Sequence, residues 1–180
     1  MTLLDTLTQI VTSEQPESDM VEQLITAITD AGYTIVEIPE KPWGATIRMH
    51  PDDADRFIGE FFPGISPAEL RLGNPDLEVS PKFMLWRPAA RISWQYHQRR
   101  AESWRFATAG GYIESDTDEQ GDVTPAHAGD MVSFGLGTRH RGVANPVAYT
   151  LVAEVWQHTD PERPSDEDDI VRLHDEYARI

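Results

Sequence analysis

Ser93-Trp94-Gln95-Tyr96-His97-Gln98-Arg99-Arg100-Ala101-Glu102 is the stretch on which the fold turns. Strand side chains alternate faces, so Ser93, Gln95 and His97 point one way while Ile92, Trp94 and Tyr96 point the other. A strand with large apolar groups on one face must bury that face. Its polar face then looks into water or into a functional cavity. A second cluster reads Gly129-Asp130-Met131-Val132-Ser133-Phe134-Gly135-Leu136-Gly137-Thr138-Arg139-His140. Both clusters lie in a region, from Lys82 onward, that reads as short strands. Pro88, Gly110-Gly111, Asp118-Glu119-Gln120-Gly121, Gly129-Asp130 and Asn145-Pro146 punctuate it. Val147 to Gln157 is its strongest strand, and strands at this spacing predict a sandwich or small barrel.

Outside this region the patterns change. Residues 2–31 read as two amphipathic helices, because Leu3, Leu4, Leu7, Ile10 and Val11 fit a 3.6-residue period, as do Met20, Val21, Leu24, Ile25 and Ile28. Asp30-Ala31-Gly32 closes the second helix. Their apolar stripe could cover the Ile92/Trp94/Tyr96 face or form a dimer contact. Tyr33 to Ile38 reads as a strand. His50-Pro51-Asp52-Asp53 opens a short helix whose apolar side is Ala54, Phe57, Ile58, Phe61 and Phe62. Pro63 to Pro81 reads as a long ordered loop. From Ser165 the tail reads as a capped helix with a solvated acidic start, in which Ile170, Val171, Leu173 and Tyr177 can pack. A chain of 180 residues is expected to be one domain: a helical extension over 1–32, a barrel core over 82–158 and a C-terminal helix over 165–180.

Composition narrows the chemistry. There is no cysteine, which excludes disulfides and thiolate metal sites and leaves only nitrogen and oxygen ligands. The net charge is −16, from 31 acidic residues against thirteen arginines and only Lys41 and Lys82. Such a surface is a poor partner for nucleic acid or an anionic membrane. Without an eighteen-residue apolar stretch or a charged-then-apolar leader, the chain reads as a soluble protein, cytoplasmic by default.

The two clusters resemble the motifs of the cupin superfamily, HxH-x(3,4)-E and G-x5-P-x-G-x2-H-x3-N. Gln95 takes the place of the first histidine, and His97 and Glu102 fit with four residues between them. Gly129, Gly137 and His140 fit the second motif; Gly135 stands where proline is usual, and Asn145 falls one residue late. The chain more specifically resembles type II phosphomannose isomerases, including the C-terminal domain of the bifunctional mannose-1-phosphate guanylyltransferase/phosphomannose isomerase. Those carry LSLQ-x-HHHR-[AS]-EHW where this chain has Ile92 to Trp104. Pro42-Trp43-Gly44 resembles the family's PWG, and Lys82 stands where the family has a lysine. Residues 167–179 resemble the ending EDDIVR-x-x-D-x-YGR, with Ala178 for its glycine. The HHH run is His97-Gln98-Arg99 here, and EHW is Glu102-Ser103-Trp104.

This resemblance implies a mainly β protein, a cupin double-stranded β-helix (jelly-roll) barrel with N-terminal helices and a C-terminal helix. It implies one divalent metal ion, zinc first, with Mn, Fe, Co or Ni accepting the same ligands, held by Gln95, His97, Glu102 and His140. The implied activity is a metal-dependent aldose–ketose isomerase acting on mannose 6-phosphate or a related hexose or heptose phosphate. Lys82 would act as base if burial lowers its pKa, Arg172 and Arg100 would hold phosphate or orient hydroxyls, and Arg139 flanks the site. A homodimer is common in the superfamily. Arg99 and Arg141 read instead as partners of nearby acids, and His50, His127, His158 and His174 as helix-entry, turn, loop and helix-surface residues. Two other readings remain open: a cupin that binds a sugar or metabolite without turnover, and an iron-dependent cupin dioxygenase.

Overall fold

The computed structural model describes residues 1–179. Helices α1 (Leu3–Thr12) and α2 (Glu17–Asp30) occupy the positions that the apolar period predicts. A reciprocal cap starts α1: Thr2 Oγ1 accepts from Asp5 N at 3.1 Å, and Asp5 Oδ2 accepts from Thr2 N at 2.9 Å. Short strands β1 (Ile35–Glu37) and β2 (Glu40–Lys41) follow, then β3 (Gly44–Met49). A 3-10 turn capped by His50 leads into α3 (Ala54–Phe61), and the loop after it contains one further short helix, α4 (Pro67–Leu70).

The remaining strands are β4 (Lys82–Trp86), β5 (Trp94–Tyr96), β6 (Arg100–Phe106), β7 (Gly110–Ser115), β8 (Thr124–Ala126), β9 (Met131–Phe134), β10 (Arg139–Ala144), β11 (Thr150–His158) and β12 (Val171–His174). They form two antiparallel sheets. The larger runs β1-β3-β4-β11-β6-β9 with β2 added beside β3, and the smaller runs β12-β5-β10-β7-β8. From β4 to β12 the chain passes back and forth between the sheets, which is the double-stranded β-helix of a jelly roll. β3, β1 and β12 lie outside residues 82–158, so the sheets draw on more of the chain than the expected core.

Alternation explains the layers. Along β6 the inward residues Arg100, Glu102, Trp104 and Phe106 are buried, while those between them are partly exposed. In β4 and β11 nearly every residue is buried, because both faces are covered. Phe83, Leu85, Leu151, Ala153 and Val155 face outward into a cluster with Leu7, Val11, Met20, Leu24, Ile28, Phe57 and Phe61. The N-terminal helices therefore cover the outer face of the larger sheet and not the Ile92/Trp94/Tyr96 face. Each fully buried Leu, Ile, Phe or Met in that layer contributes about 1.5–3 kcal/mol of transfer free energy. Trp94 is covered instead by the 116–121 loop, where its Nε1–H donates to Asp118 O at 2.8 Å.

Inside the barrel, Met84, Trp86, Trp104, Phe106, Phe134 and Val152 form a second cluster. Trp86 reaches across from the larger sheet to lie on Gly142 of the smaller one. A Cβ at Gly142 would stand 2.2 Å from the indole Cη2. Gly142→Ala is expected to lower unfolding free energy by about 1–3 kcal/mol through overpacking, read as a shifted urea midpoint at unchanged slope.

The tail corrects one expectation. Residues 165–179 form no helix: a single turn at Asp166–Asp169 gives way to β12, which pairs Val171 with Tyr96 and Arg172 with Gln95. The apolar positions 170, 171 and 173 suit either period, and two of them are β-branched. The open edge of β5 offers backbone partners that an isolated helix lacks. His174 accordingly lies on a strand. His158 ends β11 and is fully buried, with Nε2–H donating to Glu78 O at 2.6 Å and Nδ1 accepting from Ser165 N at 3.1 Å.

Candidate metal centre

His97, Glu102 and His140 converge from β6, β10 and the end of β5, each no more than 2 % exposed. Their ligand atoms lie within 4.8 Å of one another, the one such histidine–carboxylate group among the described residues. His97 Nδ1–H donates to the Asp169 carbonyl, and His140 Nδ1–H donates to Thr138 O at 2.9 Å. These bonds select the tautomer that leaves Nε2 with its lone pair free. Both Nε2 atoms face the same carboxylate, at 2.9 Å from Glu102 Oε1 for His97 and 3.2 Å from Oε2 for His140. His97 Nε2 has no hydrogen-bond partner. A lone pair facing a carboxylate oxygen is repulsive unless a cation lies between them. Ligands at ~2.0–2.2 Å from a shared ion stand about 3 Å apart, so the donor set fits a divalent ion. Phe134 stacks on His140 with ring centroids 4.4 Å apart at 9°, which fixes the ring plane.

Burial alone would raise the Glu102 pKa, but its neighbours, His97 first and then the Arg100 guanidinium and His140, hold it well below the usual carboxylate range. Glu102 thus stays ionised, as a ligand must. Gln95, the fourth expected ligand, is paired in register with His140 on the neighbouring strand. Its Oε1 accepts from Ser93 Oγ at 2.5 Å, and it lines the cleft described next.

A cleft of about 510 Å³ opens beside this set. Gln95, Glu102, Arg100, Lys82, Glu154, Glu167, Arg172, Arg179 and Trp43 are among the residues that line it; His97 and His140 do not line it and reach it only through Glu102, which both contact. Among the described residues, Arg172 makes no ion pair and its buried Nε has no hydrogen-bond partner; burial and the nearby Arg179 lower its pKa. Lys82 is different. Its Nζ lies 2.9 Å from Glu167 Oε2 and 3.3 Å from Glu154 Oε1. Burial pulls its pKa down, but the two carboxylates outweigh burial and the net shift is upward. The expectation of a lowered pKa, and with it a neutral amine base, is therefore overturned.

Two of the expected substrate-binding arginines are also committed elsewhere. Arg100 donates from Nε to Glu102 Oε1 at 2.9 Å and from Nη1 to Asp166 O at 2.6 Å, and its guanidinium lies 4.5 Å from the Trp156 ring centroid. It braces the ligand carboxylate. Arg139 lies outside the cleft, since it neighbours His140 on β10 and so points to the opposite face. There it donates to Asp118 and Gly137 and lies over Tyr96 at 4.5 Å. Arg99 and Arg141 pair with acids as expected, with Asp166 and Glu176 respectively.

Three acids complete the site beyond the residues expected there. Glu154 sits in the otherwise apolar run Leu151-Val152-Ala153-Glu154-Val155-Trp156, and an acid buried in such a strand is itself a signal. Burial and the Glu102 charge raise its pKa despite Lys82. Glu167 and Asp169, read as part of a solvated helix start, are instead tied to Lys82 and to the turn after His97.

No family model and no curated protein matches this chain in sequence. Solved structures do. The oxalate decarboxylase of Lactobacillus farciminis, in its formate complex, superposes with a TM-score of 0.51 at 15% identity, over 76% of this chain and 33% of that one. The capsular polysaccharide assembling protein CapF of Staphylococcus aureus gives 0.50 at 13% identity, over 95% of this chain and 44% of that one. A Cupin 2 conserved barrel domain protein from Salinispora arenicola overlaps less, at 0.37 and 25% identity, over 44% of this chain and 62% of that one. The chain thus spans a third of the decarboxylase and under half of CapF. At such identities the likeness is one of fold, and that fold is the double-stranded β-helix of cupins. Among the described residues, no helix is long and apolar enough to cross a membrane.

Proposed function

We propose that this chain is a metal-dependent aldose–ketose isomerase acting on a sugar phosphate, mannose 6-phosphate or a related hexose or heptose phosphate. The observation that carries the reading is the unpaired Arg172 guanidinium opening onto the same cleft as Glu102 and Gln95. A guanidinium without an acid partner, in a chain of net charge −16, is matched by a phosphate that can take its fork bidentately. A divalent ion held by His97, Glu102, His140 and Gln95, zinc first, supplies a Lewis acid for carbonyl and hydroxyl oxygens.

The protein residues divide the remaining work. Lys82 stays an ammonium and serves as a hydrogen-bond donor to substrate oxygens. Glu154, which lines the cleft with a raised pKa, takes the proton from C2 of the aldose and returns it at C1, while the O2 hydroxyl proton passes to O1. Trp43 offers an apolar wall for the sugar.

The test is isomerisation of an aldose 6-phosphate in D₂O with elemental analysis of the purified protein. The wild type should wash deuterium into C2 and hold one divalent ion per chain. Glu154→Gln preserves an acceptor for Trp104 and should slow exchange by about 10²–10⁴ while keeping the ion. A metal-loaded protein that exchanges no proton with any hexose or heptose phosphate would leave a binding protein in place of an isomerase.

A further inference from the structure

We propose that Asp169 is a positioning residue of the metal centre, holding His97 in the place and tautomer that aim Nε2 at Glu102. The inference rests on reading His97, Glu102 and His140 as a metal set, but its core claim concerns the protein alone.

Asp169 is buried and its polar atoms converge on one turn. Its main-chain carbonyl accepts His97 Nδ1–H. Its Oδ1 accepts from Gln98 N at 2.9 Å, and its Oδ2 from Arg99 N at 2.9 Å and from Ser165 Oγ at 2.9 Å. Gln98 and Arg99 are the two residues between His97 and the first residue of β6, where the sheet ladder offers their amides no partner. The carboxylate replaces that ladder and pins the turn from outside. Glu102 stands two residues into β6, so the same clamp sets its spacing from His97.

The charge state explains why an acid serves here. Three donors meet two oxygens, so only an ionised carboxylate accepts all of them; an asparagine would turn its amide hydrogens toward a backbone N–H. Hydrogen bonds from Gln98 N, Ser165 and Arg99 N indeed pull the Asp169 pKa down against its burial. A carboxylate that merely anchored the tail would leave the imidazole state untouched.

The experiment compares wild type, Asp169→Asn and Asp169→Ala labelled with ¹⁵N-histidine, first without added ions. His97 is assigned by the signal missing in His97→Ala. In wild type the His97 shifts should report a proton held on Nδ1 by the Asp169 carbonyl, whatever Nε2 carries. Both variants should show a mixture of His97 tautomers, while His140, tied to Thr138, keeps its shifts. Co²⁺ competition with a chelator should then give about 10–100-fold weaker binding in the variants. If Asp169→Ala does not fold, Asp169→Asn decides alone. Unchanged His97 tautomer and Co²⁺ affinity in a folded variant would overturn the inference. A wild type that binds no Co²⁺ would overturn the metal reading instead, and the tautomer comparison would still judge Asp169.

Discussion

Replacing His97 with alanine is expected to lower divalent-metal affinity by more than about 100-fold, because removing an outer-sphere partner alone costs ~10–100-fold. Isomerase turnover should vanish with the metal. The fold should survive, since the deletion leaves Glu102 still paired with Arg100 at 2.9 Å and removes a ring that the larger apolar cluster does not use. Chelator competition and a thermal melt of the same preparation read the two quantities separately. A folded His97→Ala protein that retains its ion at wild-type affinity would show that the metal, if any, lies elsewhere. His140→Ala should behave alike but also lose some stability, because Phe134 stacks on that ring.

Lys82→Met is expected to cost about 3–5 kcal/mol of unfolding free energy at neutral pH, the usual result of removing one partner from a buried ion pair. Both side chains of the Lys82–Glu154 pair are only 7% exposed, so solvent screens them little. Methionine keeps most of the side chain's length and drops the charge. Glu154 then faces Glu102 without its cation.

The pH dependence has a definite sign. The folded-state pKa of Glu154 lies above its unfolded value, so the folded state favours the proton and loses stability as pH rises through that interval. Without Lys82 this rise grows. The deficit of the variant should therefore be greatest at neutral and alkaline pH and shrink as Glu154 protonates in acid. The stabilisation from Lys82, whose pKa is raised, persists below its ordinary value and fades only as pH climbs through the folded one. Urea titrations of wild type and variant at pH 5 and pH 8 measure the difference. A deficit equal at both pH values, or larger at pH 5, would contradict this account of the pair.

Much of the site was readable because strand geometry is local. The parity of Ser93, Gln95 and His97 and the spacing to Glu102 put these groups on one side of adjoining strands. The 3.6-residue period likewise placed both N-terminal helices. The same parity argument, applied to Arg139 beside His140, already sends one of the pair out of the barrel. Flanking the ligands in sequence therefore does not place Arg139 in the site. Lys82 illustrates a different gap. Its burial could be guessed, but its charge state depends on Glu154 and Glu167, which approach from β11 and the tail.

By itself, then, the sequence determined the repeating strands and the two N-terminal helices, since each follows from periodicity within a few residues, while the three ligand-type side chains were legible through the motif resemblance. Only the tertiary structure decided that the tail runs as a strand beside β5, that Arg100 serves Glu102, and that Asp169 seats His97. Those outcomes join residues as many as 80 positions apart, as His174 beside Trp94, where the balance between competing partners is set by which backbone edges and charges the folded barrel leaves unsatisfied.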